Sequence, residues 1–567
     1  MHASCVVHKT SLTFFLLFAA AAAMSGCAGS DASQNPYAGL CKSEVPGIQL
    51  VSISPGQGTQ FGDQQVTAVI KAAGVPFTPA EVFLGNKARG VTVTAQPGNE
   101  LSVSFTTAGT PTAGTYPLVI ATGMSACAYL PNAYRYNPPV SSAFRVFVGF
   151  GASGTAGFQS DSYNEAAQLN GPASWVARQA GAYFPIPLFR MPGIPPAPGF
   201  DALGTDGQFT GTATALVNYI AGAQDLPSLF EDPDVVPYNI AIPGATVEDE
   251  VLGPASTTKM AIPVIALSNL LFAPYDNNLL EKTDIKPETQ MVKELHPTLI
   301  MSMDLYINDL ITNEVATSYD TFVTYITQDV AALASTGAQV FLADVPHAAL
   351  FLPASQEPAL GELLKCGMTF SDITGGIFAL DEAADADSCA ATFSNGTIDA
   401  ATTCEYNACE TLVSMDKKVD VFNAEFAAVA GEYKNVHVVP LAGMMSGKVP
   451  VAGHSMIIDG QGFPEYTTGN VTVKVKHLGG FSSLDDAHPT NTGYAMIASL
   501  FVQAINAQLG TKIPLPGLDS ILAGDPLSPP ALAAYCSQST NTQKPYCMCV
   551  NGDYSSVTPI TCTTLLY

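Results

Sequence analysis

Basic side chains are scarce in this chain. Lysine and arginine number 22 against 48 aspartates and glutamates, which leaves a formal net charge of −26 over 567 residues. A surface of that sign repels nucleic-acid phosphates and anionic headgroups, so it argues against nucleic acid as a partner and against electrostatic docking on anionic lipid. Charge of either sign is sparse as well, at 12% of residues against 47% apolar ones. That balance excludes a disordered chain and fits a well-packed globular protein of two domains. Metal-ligand spacing is absent among His296, His437, His454 and His477, which lie apart, so no catalytic metal and no cofactor are expected. Near the start, only about a dozen consecutive residues are apolar, too few to span a bilayer.

That short run belongs to MHASCVVHKTSLTFFLLFAAAAAMSGC, where one lysine, an apolar stretch and small residues before Cys27 describe an export signal. Met24-Ser25-Gly26-Cys27 resembles the bacterial lipobox. The resemblance implies a signal peptide over residues 1–26, a lipid on the Cys27 thiol and a membrane as partner through that anchor. Ala28 after the cysteine, rather than aspartate, suggests by analogy an outer-membrane lipoprotein of the bacterial cell envelope. An ordinary signal peptide cut near the alanine run is the alternative. Cleavage removes Lys9, which takes the net charge from −26 to −27. Of twelve cysteines, Cys5 lies in the leader and Cys27 at the lipidation site, and the remaining even number suits bridges formed in an oxidising compartment. They fall in groups: Cys41 with Cys127; Cys366, Cys389, Cys404 and Cys409; Cys536, Cys547, Cys549 and Cys562. The pairs Cys404 with Cys409 and Cys547 with Cys549 lack the two-residue gaps usual for zinc.

After a polar linker at 27–46, residues 47–142 alternate in short strands such as IQLVSISP, QQVTAVIKA, ELSVSFTT and GTYPLVIAT, separated by Gly, Pro and Asn turns. The pattern predicts a small all-β sandwich. SISPGQG, the VFLG strand and the closing AGTYPLVIAT resemble the IPT/TIG immunoglobulin-like fold. A spacer is the simplest role, and glycan or protein binding the sharper one.

From 143 to 515 the pattern changes to apolar strands alternating with helical stretches. The strands are the run before Ser153, VPYNIAI, PTLIMSMDL, AQVFLAD and NVHVVPL. They predict an α/β domain with a doubly wound parallel sheet of about five strands, covered by helices on both faces, with its working loops at the strands' carboxyl ends. A stretch at about 352–448 reads as a cap-like insert, and its DEAADADS run reads as solvated surface rather than a calcium loop. The apolar residues 259–275 suit a buried helix and loop, or else the wall of an acyl pocket. Residues 516–567 form a Cys-containing tail of no assigned role.

Within FRVFVGFGASGTAGFQ, glycines crowd the turn around Ser153, so a serine can stand exposed at the end of a central strand. A serine nucleophile needs a base and an acid that orients the base. Asp485 and His488, three residues apart in a turn, can supply that pair. Asp344 and His347 repeat the spacing after the AQVFLAD strand and read as structural or substrate-adjacent.

These elements resemble the SGNH/GDSL hydrolase family in four blocks, from about Phe144 to Ile513. Gly151 to Gly157 matches the family's G-D-S-L-T-A-G except at Ala152 and Gly154, which makes Ser153 the nucleophile. NIAIPGATVEDEV is similar to the segment whose glycine helps hold the oxyanion, here Gly244. PTLIMSMDLYINDLI resembles the block ending in G-x-N-D, so Asn308 is a further oxyanion donor and Tyr306 stands where a glycine is usual. SLDDAHPTNTGYAMIASLFVQAIN supplies Asp485, His488, Pro489 and Gly493. The resemblance implies a flavodoxin-like sheet, a catalytic triad of Ser153, Asp485 and His488, and an oxyanion hole of Ser153, Gly244 and Asn308. Its expected activity is a carboxylic ester hydrolase of lipase or esterase type, acting on a lipid or short-chain acyl ester. Ala152 removes an acid beside the nucleophile and Tyr306 adds bulk beside the oxyanion donor. A polysaccharide O-acetyl esterase is the rival within the class. A non-catalytic surface binding lipoprotein with a degenerate hydrolase fold is the rival outside it.

Overall fold

The computed structural model describes residues 48–72, 79, 81–121, 127–204, 209, 229–231, 235–253, 286–311, 317–347, 406–451, 455–458, 464–475, 478–485 and 487–553. The expected leader with Cys27, the expected linker, the apolar residues 259–275, the DEAADADS run, and Cys41, Cys366, Cys389, Cys404 and Cys562 lie outside the described residues.

Period-two alternation builds the first module. Its strands are β1 (Ile48–Ser54), β2 (Gln57–Thr59), β3 (Gln65–Ala72), β4 (Glu81–Leu84), β5 (Asn86–Lys87), β6 (Arg89–Gln96), β7 (Glu100–Thr106), β8 (Gly114–Ala121) and β9 (Cys127–Asn137). One sheet runs β1-β3-β7-β6 and the other β2-β9-β8-β4-β5. In β3, Val66, Ala68 and Ile70 are fully buried while Thr67, Val69 and Lys71 turn outward. These residues and Phe105 from one sheet meet Val82, Leu118, Ile120 and Tyr136 from the other in a single core, the packing of two sheets face to face.

The second module contains β10 (Phe147–Gly149), α1 (Ser153–Ala156), α2 (Glu165–Asn170), α3 (Pro172–Ala180), α4 (Val247–Leu252) and α5 (Glu288–Leu295). Next come β11 (Leu299–Ser302), α6 (Asn308–Ile311), α7 (Tyr319–Ala334), β12 (Gln339–Ala343), α8 (Tyr406–Gly431), β13 (Val436–Val439) and α9 (Leu441–Met445). An antiparallel ribbon of β14 (Ser455–Ile458), β15 (Pro464–Thr468) and β16 (Val471–Lys474) precedes α10 (Asn491–Leu509). The tail adds α11 (Leu518–Gly524), α12 (Pro529–Cys536) and α13 (Pro545–Asn551).

Strands β10, β11, β12 and β13 form a parallel sheet in that order. Outside β10, the extended segment 238–242 runs parallel to it: Gly149 N–H donates to Tyr238 O, and the N–H groups of Ile240 and Ile242 donate to the carbonyls of Gly149 and Gly151. With that segment as second in the chain, the spatial order is 2-1-3-4-5, so the chain reverses direction across β10 and opens a crevice at the carboxyl ends of β10 and β11. The strands read as continuous apolar runs because both faces are covered. Phe147, Met301, Phe341 and Val439 face one cluster with Ala173 and Val176 of α3 and Ala498 and Phe501 of α10. Val148, Ile300, Val340 and Leu342 face another with Phe322 of α7 and Phe426 of α8.

The expected insert at 352–448 needs correcting at its end. The apolar, β-branched run Val436–Val439 pairs with β12 as the outermost strand, and α8 packs its aromatic face on the sheet, so residues 406–439 belong to the sheet's framework. The tail also has a structural place. Leu527, Leu532 and Tyr546 pack with Leu484, and a disulfide joins Cys536 to Cys547. Between the modules, Asp63 takes Arg89 at 3.1 Å and Arg178 at 2.7 Å, and Arg89 also reaches Glu165 at 2.6 Å. Among the described residues, no helix is long and apolar enough to cross a membrane.

Candidate active site

At the end of β10 the chain must turn sharply into α1. Gly151 makes the turn at φ 117°, and a Cβ there would collide with Ser302 Oγ, so only glycine serves. Ser153 therefore opens α1 at the crevice mouth.

The partner turn lies between β16 and α10. Ser483 N–H donates to His488 O at 2.7 Å and closes the loop. Inside it, Asp485 is saturated with donors: Oδ1 accepts from Ser483 Oγ (2.9 Å), Ala487 N (3.2 Å) and His488 N (2.9 Å). Its Oδ2 accepts from Asp161 N and meets His488 Nδ1, both at 2.8 Å. An ionised carboxylate only accepts, so His488 carries its proton on Nδ1 and presents Nε2 to Ser153 Oγ, 2.8 Å away. Ser153, His488 and Asp485 thus meet although 335 residues separate the serine from the histidine. Burial pushes the Asp485 carboxyl up, but the His488 ring and the N–H donors outweigh it and hold the group below its ordinary value. Burial pulls His488 down, and the Asp485 charge and hydrogen bond, aided by Asp161 and Asp304, bring it above its ordinary value. Phe158 stands edge-on to the imidazole at 4.9 Å.

The oxyanion candidates lie across the crevice. Gly244 forms the turn after the extended segment, with φ 89°. Asn308, the first residue of α6, donates from Nδ2 to Ala245 O at 2.8 Å and so stands beside that turn. Asp309 ties the same region together, accepting from Val247 N at 3.1 Å. The Ser153 N–H has no acceptor among the described residues. Tyr306 corrects an expectation: its ring is fully buried between Phe322 and Phe426, and its hydroxyl donates to Asn423 Oδ1 at 2.6 Å. Its bulk fills the helix-covered core rather than the oxyanion side.

Two residues of the site escape any sequence pattern. Asp304, just past β11, accepts from the N–H groups of Ala152 (3.2 Å), Gly154 (2.5 Å) and Thr155 (3.2 Å) and from Thr155 Oγ1 (2.6 Å). An acid is therefore present beside Ser153, supplied from another strand. Asp161 sits in the left-handed region at φ 54°, as does Ser160 before it. Burial, then repulsion from Asp485, push its carboxyl up to about 6.

The second Asp-x-x-His divides its members. His347 pairs through Nε2 with Asp420 of α8 at 2.7 Å, while Asp344 Oδ1 accepts from Ala442 N at 2.7 Å and caps α9. His437 Nε2 meets Gln339 Oε1, and His296 closes α5 in the left-handed conformation. His454 and His477 lie outside the described residues. Among the described residues, no group of three or more His, Cys, Asp or Glu is arranged to hold a metal ion. A cavity of about 310 Å³ lies between the two modules, lined by Phe61, Asn86, Arg89, Tyr183, Phe184 and Arg190 among others, and Ser153, Asp485 and His488 are not among its lining residues.

Neither the curated proteins nor the solved structures give a significant match to the chain. Residues 147–501 match the family described as GDSL-like Lipase/Acylhydrolase, a span that starts at β10, ends within α10 and takes in every residue of the crevice named above. With well over half of its length in that match, the chain belongs to the GDSL-like lipase/acylhydrolase family, whose members are ester hydrolases.

Proposed function

We propose that the protein cleaves carboxylic esters by a Ser153–His488–Asp485 triad through an acyl-enzyme. The relay from Ser153 Oγ through the imidazole to Asp485, 2.8 Å at each step, is the observation that carries this reading. His488 Nε2 takes the hydroxyl proton as Ser153 Oγ attacks the ester carbonyl, and Asp485 stabilises the imidazolium that forms. The carbonyl oxygen becomes an oxyanion received by the N–H groups of Ser153 and Gly244 and by the Asn308 amide. Each donor contributes about 3 kcal/mol to the transition state. His488 returns its proton to the leaving alcohol, and water then attacks the acyl-enzyme by the same steps to release the acid.

The substrates we assign are lipid or short-chain acyl esters. The N-terminal pattern up to Cys27 adds that the mature enzyme is held at the bacterial envelope by a lipid, which the mass of its first tryptic peptide tests. For the activity, nitrophenyl esters of graded acyl length are hydrolysed by the wild-type protein and not by Ser153→Ala. Equal turnover by a folded Ser153→Ala variant rejects the triad.

A further inference from the structure

Helix α1 begins without a cap of its own. Its N-cap residue is Ala152, in an extended conformation, with no side chain to accept from the first-turn N–H groups. Such a position favours Ser, Thr, Asp or Asn, because a side-chain oxygen there satisfies donors the helix cannot. Across the crevice, the fully buried carboxylate of Asp304 does that work, and its four donors are selective. It takes the N–H groups of Ala152, Gly154 and Thr155 and passes over that of Ser153, which lies among them. We propose that Asp304 is the positioning residue of the nucleophile turn: by engaging the N–H groups around Ser153, its carboxylate fixes the turn and reserves the Ser153 N–H for the oxyanion.

Three neighbours fit this role. Thr155 Oγ1 donates to Asp304 and accepts from Met303 N at 2.9 Å, so the α1 turn and the β11 exit are joined by a closed set of hydrogen bonds. Gly154 is required by the approach: a Cβ there would stand 2.8 Å from Met303 Cε and 2.9 Å from Asp304 Oδ2. Ala152 leaves room for a carboxylate arriving from outside. The two departures from G-D-S-L at positions 152 and 154 therefore become one substitution of strategy, in which the acid is delivered from position 304. Burial raises the Asp304 carboxyl above its ordinary value, and the four donors work against that rise.

The inference rests on the serine-hydrolase reading, and the test separates the two. Fluorophosphonate labelling of Ser153 is timed in the wild-type protein, in Asp304→Asn, in Asp304→Gly and in the double variant Ala152→Asp with Asp304→Gly, each checked for an intact thermal transition. The wild-type protein labels. Asp304→Asn labels about 10- to 100-fold more slowly, as a misplaced nucleophile does. Its rate profile also reaches half-maximum at lower pH, because Asp304 is one of the carboxylates, with Asp485 and Asp161, that raise His488. The double variant, with its acid returned to the N-cap, regains several-fold over Asp304→Gly alone. A folded Asp304→Asn that labels at the wild-type rate with an unshifted profile overturns the proposal and leaves the triad standing. No labelling of the wild-type protein overturns both. If Asp304→Asn does not fold, Thr155→Val decides: slower labelling sustains the role and wild-type labelling rejects it.

Discussion

The backbone N–H of Asp161 donates to Asp485 Oδ2 at 2.8 Å, the oxygen that also holds His488 Nδ1. Two consecutive residues in the left-handed region, Ser160 and Asp161, are needed to aim that N–H, and non-glycine residues adopt this conformation only at a cost. The strain sits at the orienting end of the relay.

Asp161 also places a carboxyl near the imidazole. Its charge is among the influences that raise His488, and its own group titrates near 6. Asp161→Asn keeps a residue tolerant of positive φ and removes the charge. The acid limb of the kcat/KM profile then moves to lower pH by up to about 1 unit, since His488 is released from part of its proton affinity. An unmoved limb in a folded variant means that Asp161 does not act on His488.

On the proposed mechanism Asn308 bears on the transition state rather than on binding. Asn308→Ala lowers kcat by about two to three orders of magnitude with little change in KM. Steady-state kinetics on a short-chain ester reads the split, and a change confined to KM removes Asn308 from the oxyanion site.

On the proposed mechanism the two Asp-x-x-His pairs separate in function. His488→Ala abolishes turnover, whereas His347→Ala, which removes the contact with the half-exposed Asp420 away from Ser153, leaves kcat within about twofold. Greater loss from His347→Ala than from His488→Ala transfers the base to the wrong strand end for this account.

Stability follows a different set of acids. Glu250, Glu288 and Asp329 are buried together between α4, α5 and α7, and burial followed by mutual repulsion raises Glu250 and Glu288 well above the usual carboxylate range. Burial raises Asp329 and Asp309 to about 7. A carboxyl with a raised folded-state pKa adds stability that is complete below its unfolded value near 4 and lost as pH rises through the folded value near 7. Asp485, held low, acts oppositely and loses its contribution only in strong acid. Melting temperature therefore falls from pH 5 to pH 8, and Asp329→Asn reduces that fall. A melting temperature that rises over this interval contradicts the assignment.

Much of the site was legible because its signals are local. Glycines around Ser153, an apolar strand before it, and Asp485 three residues from His488 are readable within short windows, and tertiary packing then brings the windows together. Asp304 was illegible for the opposite reason. It serves Ala152 from a strand end 152 residues away, so a missing acid at one position and a present acid at another looked unrelated. The tail helices behind Leu484 depend likewise on contacts across the chain, whereas the extended segment 238–242 was readable as the apolar run VPYNIAI. Tyr306 misled because its spacing to Asn308 says nothing of which way its ring turns, and α7 and α8 supply the aromatic pocket that decides it.

The most direct measurement is to react the purified protein with a serine-reactive fluorophosphonate and locate the adduct by peptide mass spectrometry. The account predicts a single adduct on Ser153 that is lost in His488→Ala while the fold is retained. An adduct on another serine, or labelling of Ser153 that survives the loss of His488, would contradict it.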